Sequence, residues 1–132
     1  MKRQGAISDF SAQRRADVIR AYRLAMAQAE KIRVADVMKE AVAMPAPRFW
    51  VSEERAVNVV SALMRGMHAL KGMRPTKARM YAEIMRRVAA VLTECPDMRL
   101  IDAVSEVICG EAPESYMSAN TARAILYSHN RA

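Results

Sequence analysis

Residues typical of disulfide frameworks, metal sites and aromatic-rich cores are scarce in this sequence. Only 5% of its 132 residues are aromatic, and it contains four glycines, five prolines and two cysteines. Two cysteines are too few for a disulfide framework or a zinc site, and His68 and His129 stand at no ligand spacing from them. We therefore expect neither a metal nor another cofactor. Cys95 and Cys109 occupy helix positions at which we expect small buried thiols.

Membrane and enzyme signatures are missing as well. No apolar run reaches the length of about 20 residues that a transmembrane helix needs. The N-terminus carries basic residues without an apolar signal core after them, which predicts an intracellular, cytoplasmic protein. The sequence has no phosphate-cradling glycine loop, no histidine–carboxylate metal spacing and no nucleophile motif, so we expect no enzyme activity. Glu53 and Glu54 are better explained as favourable charge at a helix N-terminus than as catalytic groups.

The residues that are present favour an all-α fold. About half of them (52%) are hydrophobic, 11 are methionine, and the prolines and glycines fall between helical runs. Apolar residues recur at helical spacing, first at Val18, Tyr22 and Met26 and again at Ile84, Val88 and Leu92. A chain of this length forms one compact domain, or two half-domains that share a core.

An internal repeat organises the chain. When residues 33–60 are set against residues 99–126 without a gap, seven of the 28 positions are identical, whereas ordinary composition gives roughly two. The identical pairs are Arg33/Arg99, Asp36/Asp102, Glu40/Glu106, Ala46/Ala112, Pro47/Pro113, Ser52/Ser118 and Ala56/Ala122. We therefore predict a tandem duplication, with units at residues 1–66 and 67–132. Each unit consists of a long helix, a short helix, a proline and aromatic turn and a capped helix, which gives about six helices in one domain.

Helix signals mark the elements of each unit. Ser8 or Asp9 can cap the first long helix, and Thr76 can cap the second. Pro96 disfavours helix at the residue before it, so the register of the repeat predicts a break near residues 30–32, unless the first helix runs straight on. The short helices are expected at Val34–Ala43 and Met98–Cys109, and the third helices at about Glu53–Arg65 and Ala119–Ser128, capped by Ser52 and Ser118.

The turn between the short and third helices is rigid and aromatic. Pro45 and Pro47 end the short helix, since proline has no backbone N–H and pushes the preceding residue into an extended conformation. Phe49 and Trp50 follow, and Tyr116 replaces Trp50 in the second unit. A turn would expose these large apolar surfaces unless they pack inward, so we expect Trp50 to be a buried core anchor and not a ligand contact.

The stretch Pro45 to Ala56 resembles one in small uncharacterised helical proteins of bacterial and phage or mobile-element genomes. The resemblance covers about a dozen residues, which contain the Pro-Ala-Pro-Arg-Phe-Trp-Val-Ser sequence. It implies a phage or mobile-element role and brings no activity with it.

Charge favours a nucleic-acid partner. The formal net charge is +7, of which residues 1–66 carry +5 (12 basic and 7 acidic) and residues 67–132 carry +2 (9 basic and 7 acidic). Residues 118–127 also resemble the recognition helix of a helix-turn-helix, because a serine cap is followed by Asn120, Thr121 and Arg123 without an acidic residue. The predicted contacts to DNA or RNA are Arg14, Arg15, Arg20, Arg23, Asn120, Thr121, Arg123 and Arg131.

Some features count against this hypothesis. The turn before the candidate helix is longer than the usual three or four residues, and Glu111 and Glu114 flank it. The alternative is a protein-interaction or homo-oligomeric assembly module, whose methionine and alanine faces meet partner helices. Arginines of the two long helices on one surface would favour nucleic-acid binding. An exposed apolar patch that contains Met64, Met67, Met73 and Met80 would favour assembly.

Overall fold

The predicted all-α fold is confirmed. The computed structural model describes the backbone at residues 7–28 and 33–131 and the side chains at residues 10–28 and 33–128. These parts form six helices: α1 Ile7–Gln28, α2 Val34–Ala43, α3 Glu53–Met64, α4 Pro75–Glu94, α5 Leu100–Ile108 and α6 Ala119–Arg131. Within the same residues, no helix is both long and apolar enough to cross a membrane.

Most predicted helix boundaries lie close to those of the structure. The hydroxyl of Ser52 accepts a hydrogen bond from the Arg55 N–H at 3.2 Å, and that of Ser118 accepts one from the Thr121 N–H at 3.0 Å, so both serines are N-caps. Helix α5 begins two residues later than predicted, because Arg99 is its extended N-cap residue. The predicted break near residues 30–32 lies outside the described residues, although α1 ends before it and α2 begins after it.

Each third helix packs against the long and short helices of the other half of the chain. Helix α6 packs on α1 and α2, whereas α3 packs on α4 and α5. We call these groups the first bundle (α1, α2, α6) and the second bundle (α3, α4, α5). The buried residues follow the same division. Val18, Met38 and Leu126 belong to one cluster of the first bundle, and Val60 and Ile84 belong to the cluster of the second.

The two turns, residues 44–52 and residues 109–118, cross at an antiparallel bridge. Ala46 and Ala112 exchange backbone hydrogen bonds of 2.9 and 2.8 Å, and both are almost fully buried. Each turn also donates a hydrogen bond to the end of the opposite short helix. The Phe49 N–H donates to the Ile108 carbonyl at 3.0 Å, and the Ser115 N–H donates to the Val42 carbonyl at 3.1 Å. When residues 33–60 are aligned with residues 99–126, Phe49 is equivalent to Ser115 and Val42 is equivalent to Ile108.

One prediction about buried residues is wrong, and a second holds only in part. Cys95 and Cys109 are exposed free thiols, because they are the C-cap residues of α4 and α5, where the chain leaves the packed helices. Trp50 is only half-buried, and its neighbour Phe49 is the turn residue enclosed by the second bundle, with 1% of its surface exposed.

The four methionines whose exposure as one patch would favour assembly lie in different environments. Met80 is a buried core residue of α4, and Met73 is half-buried against the second bundle. Met64 and Met67 are 49% and 55% exposed at the C-terminal end of α3 and in the loop after it. Only these two of the four are therefore available to a partner.

Replacing Phe49 by alanine should destabilise the protein by about 3–5 kcal/mol, the range for loss of a fully buried aromatic ring. Trp50→Ala should cost less, because this ring is already partly exposed. Urea unfolding followed by circular dichroism measures both free energies. Equal losses for the two variants would contradict the assignment of Phe49 as the anchor of the turn.

Candidate nucleic-acid interface

A cleft with a cavity volume of about 150 Å³ lies where α4 and α6 begin, beside α1 and both turns. We call it the basic cleft. Its cationic side chains are Arg14, Arg74 and Lys77, and its aromatic ones are Trp50 and Tyr116. The remaining lining residues are polar or apolar and carry no charge: Thr76, Met80, Ser115, Met117, Ser118 and Thr121.

The described residues that line this cleft include three cations and no carboxylate, which favours a positive potential. Helix α4 starts with Pro75 after the N-cap residue Arg74, whose side chain makes no capping bond. Neither α4 nor α6 has an acidic residue in its first turn. The partial positive charges at both helix N-termini therefore add to the three cationic side chains and favour an anion.

Two buried donors of the cleft residues have no hydrogen-bond acceptor among the residues that the structure describes. They are Nε of Arg14, on α1, and Nε1 of the Trp50 indole, in the turn at residues 44–52. More than nine in ten buried polar groups in proteins have a partner, since an unpaired one costs about 1–3 kcal/mol. Because these nitrogen atoms have almost no accessible surface, an acceptor in the cleft can reach them only if neighbouring side chains move.

The Trp50 ring is held in place by its neighbours. Its centroid lies 5.9 Å from that of Phe10, and the guanidinium of Arg48 lies 5.9 Å from the Trp50 centroid. Arg48 also donates hydrogen bonds to the carbonyls of Phe49 at 3.1 Å and Val51 at 3.2 Å. These contacts orient the indole, so the position of its N–H is set by the turn.

Tyr116 lies at the edge of the cleft in an unusual backbone conformation. Its φ of 53° is in the left-handed region, which costs a residue with a Cβ roughly 1–2 kcal/mol. Its ring stacks on Phe49 with centroids 5.9 Å apart. Burial raises the pKa of Tyr116, and the nearby carboxylates of Glu83 and Glu114 raise it further, so the phenol stays a neutral hydrogen-bond donor. Strain of this kind occurs preferentially at functional sites.

The structure brings some of the predicted contacts together in this region. Arg14 and Thr121 line the basic cleft, although 107 positions separate them in the chain. Asn120 is exposed on the first turn of α6, next to Thr121. Arg123 is exposed one turn further on, where its Nε donates to the Tyr127 hydroxyl at 2.9 Å.

The other predicted contacts lie elsewhere. Arg20 and Arg23 line a separate shallow groove on α1, together with the apolar side chains of Ile19 and Leu24. Arg20 also forms an ion pair with the buried Asp17. Arg15 is half-buried on α1 and does not line the basic cleft. The side chain of Arg131 lies outside the described residues.

Arginines in the middle of α4 are paired with carboxylates. Arg86 and Arg87 both bind Glu83, the latter at 2.7 Å, and Arg79 NH1 lies 2.9 Å from Glu114 Oε1 without the geometry of a hydrogen bond. Hydrogen bonds and charge from the two arginines lower the pKa of Glu83 to about 2, mainly through Arg86. The groove beside these residues, of about 500 Å³, is therefore closer to charge balance than the basic cleft.

Sequence reasoning missed Arg74, Lys77 and Trp50 as site residues. The signal for the first two is the stretch Arg74-Pro75-Thr76-Lys77, which places two cations around a proline at a helix N-terminus. Trp50 was assigned to the core because sequence cannot tell which of two adjacent aromatic residues points inward.

No family of known proteins identifies the function of this arrangement. Comparison of the chain with protein-family models, curated proteins and solved structures gives no match. No group of three or more potential metal ligands occurs in the part of the chain that the structure describes.

Glu83 gives the fold a measurable pH dependence. Because its pKa is lowered from 4.5 to about 2, its ion pairs stabilise the folded state above pH 4.5, and this contribution is lost as the pH falls through 2. Glu83→Gln should therefore destabilise the protein at pH 7. The expected loss is only about 1 kcal/mol, because solvent weakens the ion pair with the exposed Arg86. The difference from the parent should shrink steadily below pH 4.5.

Urea unfolding of parent and variant at pH 7, 4 and 2 tests this expectation. Glu106→Gln, which neutralises an exposed carboxylate on α5, is the control for loss of one negative charge. A difference between parent and Glu83→Gln that does not change with pH would contradict the ion-pair explanation.

Proposed function

We propose that this protein binds nucleic acid, mainly through phosphate contacts at the basic cleft. The observation that carries the proposal is the convergence of Arg14, Arg74 and Lys77 on two helix N-termini, with no carboxylate among the lining residues. Cationic side chains and N-terminal N–H groups are the commonest protein partners of phosphate oxygens. The buried, unpaired donors of Arg14 and Trp50 support the same assignment.

The N-terminal part of α6 is the proposed site of any base contact. It begins at the cleft, and Asn120 and Arg123 are exposed on it, as the helix-turn-helix-like pattern requires. A phosphate bound in the cleft would therefore place the adjoining nucleotides near these side chains. The proposed role is that of an accessory or regulatory factor without catalytic activity, in the cytoplasm, encoded by a phage or mobile element.

Assembly with a protein partner is the second candidate function. Met64 and Met67 are about half exposed, and Leu24 on α1 is 44% exposed beside Ile19. Exposed methionine and leucine side chains are suited to adaptable helix contacts. Light scattering at several protein concentrations measures the oligomeric state. A stable oligomer that Met64→Ser and Met67→Ser together convert to a monomer would favour this candidate.

We also propose that residues 1–66 and 67–132 arose by tandem duplication. Equivalent positions of the two halves make equivalent contacts: Ala46 pairs with Ala112, and the two cross-turn hydrogen bonds correspond to each other under the same shift of 66 positions. The exchange of α3 and α6 between bundles also has this symmetry. A chain built from two copies of residues 67–132 should then fold as a helical monomer. An unfolded product would argue against the proposal.

Binding should depend on salt and on the cleft cations. Log affinity for DNA or RNA with terminal phosphates should fall linearly with log salt, since bound counterions are released. Arg14→Gln with Lys77→Gln should lower affinity about tenfold or more at 0.1 M salt and make the slope less steep by about 2. Fluorescence anisotropy over a series of salt concentrations measures both quantities.

Lys39→Gln with Arg65→Gln is the matched control, because it removes the same charge from exposed positions that do not line the cleft. It should affect binding much less than the cleft pair. If the two double variants weaken binding equally, binding depends on the net charge of the protein and not on the basic cleft. Absence of binding to single strands and duplexes at low salt would refute the nucleic-acid proposal and leave assembly as the remaining candidate.

A further inference from the structure

The size and charge of the basic cleft suit one particular part of a nucleic acid. We propose that it binds the terminal phosphate of a strand, a phosphate monoester, in preference to an internal phosphodiester. The inference rests on the proposed function and specifies the chemical group that the cleft recognises.

Charge is the first argument for a monoester. A terminal phosphate carries about −1.5 to −2 near pH 7, whereas an internal phosphodiester carries −1. Arg14, Arg74 and Lys77 provide three positive charges around one small cavity, and none of the lining residues is acidic. In the neighbouring groove, Glu83 and Glu114 offset the arginines. The basic cleft is therefore matched to a concentrated negative charge.

Shape is the second argument. Pockets for whole small ligands have volumes of about 300–1,000 Å³. At about 150 Å³ the basic cleft admits a phosphate and part of its sugar but no complete nucleotide, and it is more enclosed than the groove beside Arg79. An internal phosphodiester needs room for the strand on both sides, whereas a strand end needs a single opening.

The third argument is the arrangement of donors. Arg14 Nε, on α1, and Trp50 Nε1, in the turn at residues 44–52, are buried and have no acceptor among the described residues. The first turn of α4 adds the backbone N–H groups of Thr76 and Lys77, which no intrahelical partner can satisfy. A monoester has three terminal oxygens, and an internal phosphodiester has two. With its additional oxygen, the monoester can therefore accept hydrogen bonds from more N–H groups than a phosphodiester can.

Three forms of one internally labelled strand test the inference: one with a 5′-phosphate, one with a 3′-phosphate and one with neither. At pH 7.5, anisotropy should show that one phosphorylated form binds about tenfold more tightly than the unphosphorylated form, the effect of an added charge-assisted hydrogen bond. The preference should decrease at pH 5, because the second pKa of a phosphate monoester is about 6. Emission of Trp50, the only tryptophan, should change with the preferred form.

Variants locate the preference in the cleft. Lys77→Gln should reduce the ratio of affinities towards one, and Trp50→Phe, which keeps a ring but removes the N–H donor, should reduce it by a smaller factor. Arg65→Gln, which changes an exposed residue that does not line the cleft, should leave the ratio unchanged. A preference that persists in both cleft variants would overturn the inference.

The remaining outcomes separate the two proposals. Equal binding of the three forms would overturn the terminal-phosphate inference and leave the proposed function intact. Absence of binding by all three would overturn both. Inorganic phosphate should compete weakly, because it has no adjoining nucleotides. Displacement of the strand by an equal concentration of inorganic phosphate would assign the cleft to the free anion and overturn the inference.

Discussion

The backbone pairing of Ala46 with Ala112 holds the two bundles together. Both residues are almost fully buried, so their N–H and C=O groups would have no water to bind if the turns separated. The same crossing directs the aromatic residues of the turns, because Phe49 enters the second bundle while Trp50 and Tyr116 line the basic cleft. The pairing of the turns therefore positions the aromatic wall of the cleft, onto which the side chains of Arg14, Arg74 and Lys77 converge.

Local features of the sequence were sufficient to predict the helices but not how the helices pack against one another. The helical periods, the prolines and the capping role of Ser52 and Ser118 were all readable, since each depends on neighbouring residues. The exchange of α3 and α6 was not predicted, because an apolar stripe fits the helices of either half equally well. The burial of Cys95 and Cys109 was predicted from helical periodicity alone. The apolar period continues to the ends of α4 and α5, whereas their contacts with other helices end before these residues.

The candidate site was only partly predictable for a related reason. Arg14 and Thr121 were identified as basic or polar residues on helices, but their proximity depends on the exchange of α6 into the first bundle. The net charge of +7 also overstates the positive potential of most surfaces. Arg20 and the arginines further along α4 are paired with carboxylates. Arg74 and Lys77, at the start of α4, instead line a cleft whose described residues include no carboxylate. What distinguishes the cleft is that none of its described lining residues is a carboxylate, which a count along the sequence does not reveal.

The exchange of third helices also bears on how the chain folds during synthesis. Helices α1 and α2 are made before the second bundle, but the helix that covers them is α6, which spans Ala119–Arg131 and is made after it. The second bundle, in contrast, can assemble once α5 has left the ribosome. The apolar stripe of α1 and α2 therefore lacks its covering helix during the time in which the second bundle can fold. The first bundle can therefore close only after all three helices of the second bundle have been synthesised.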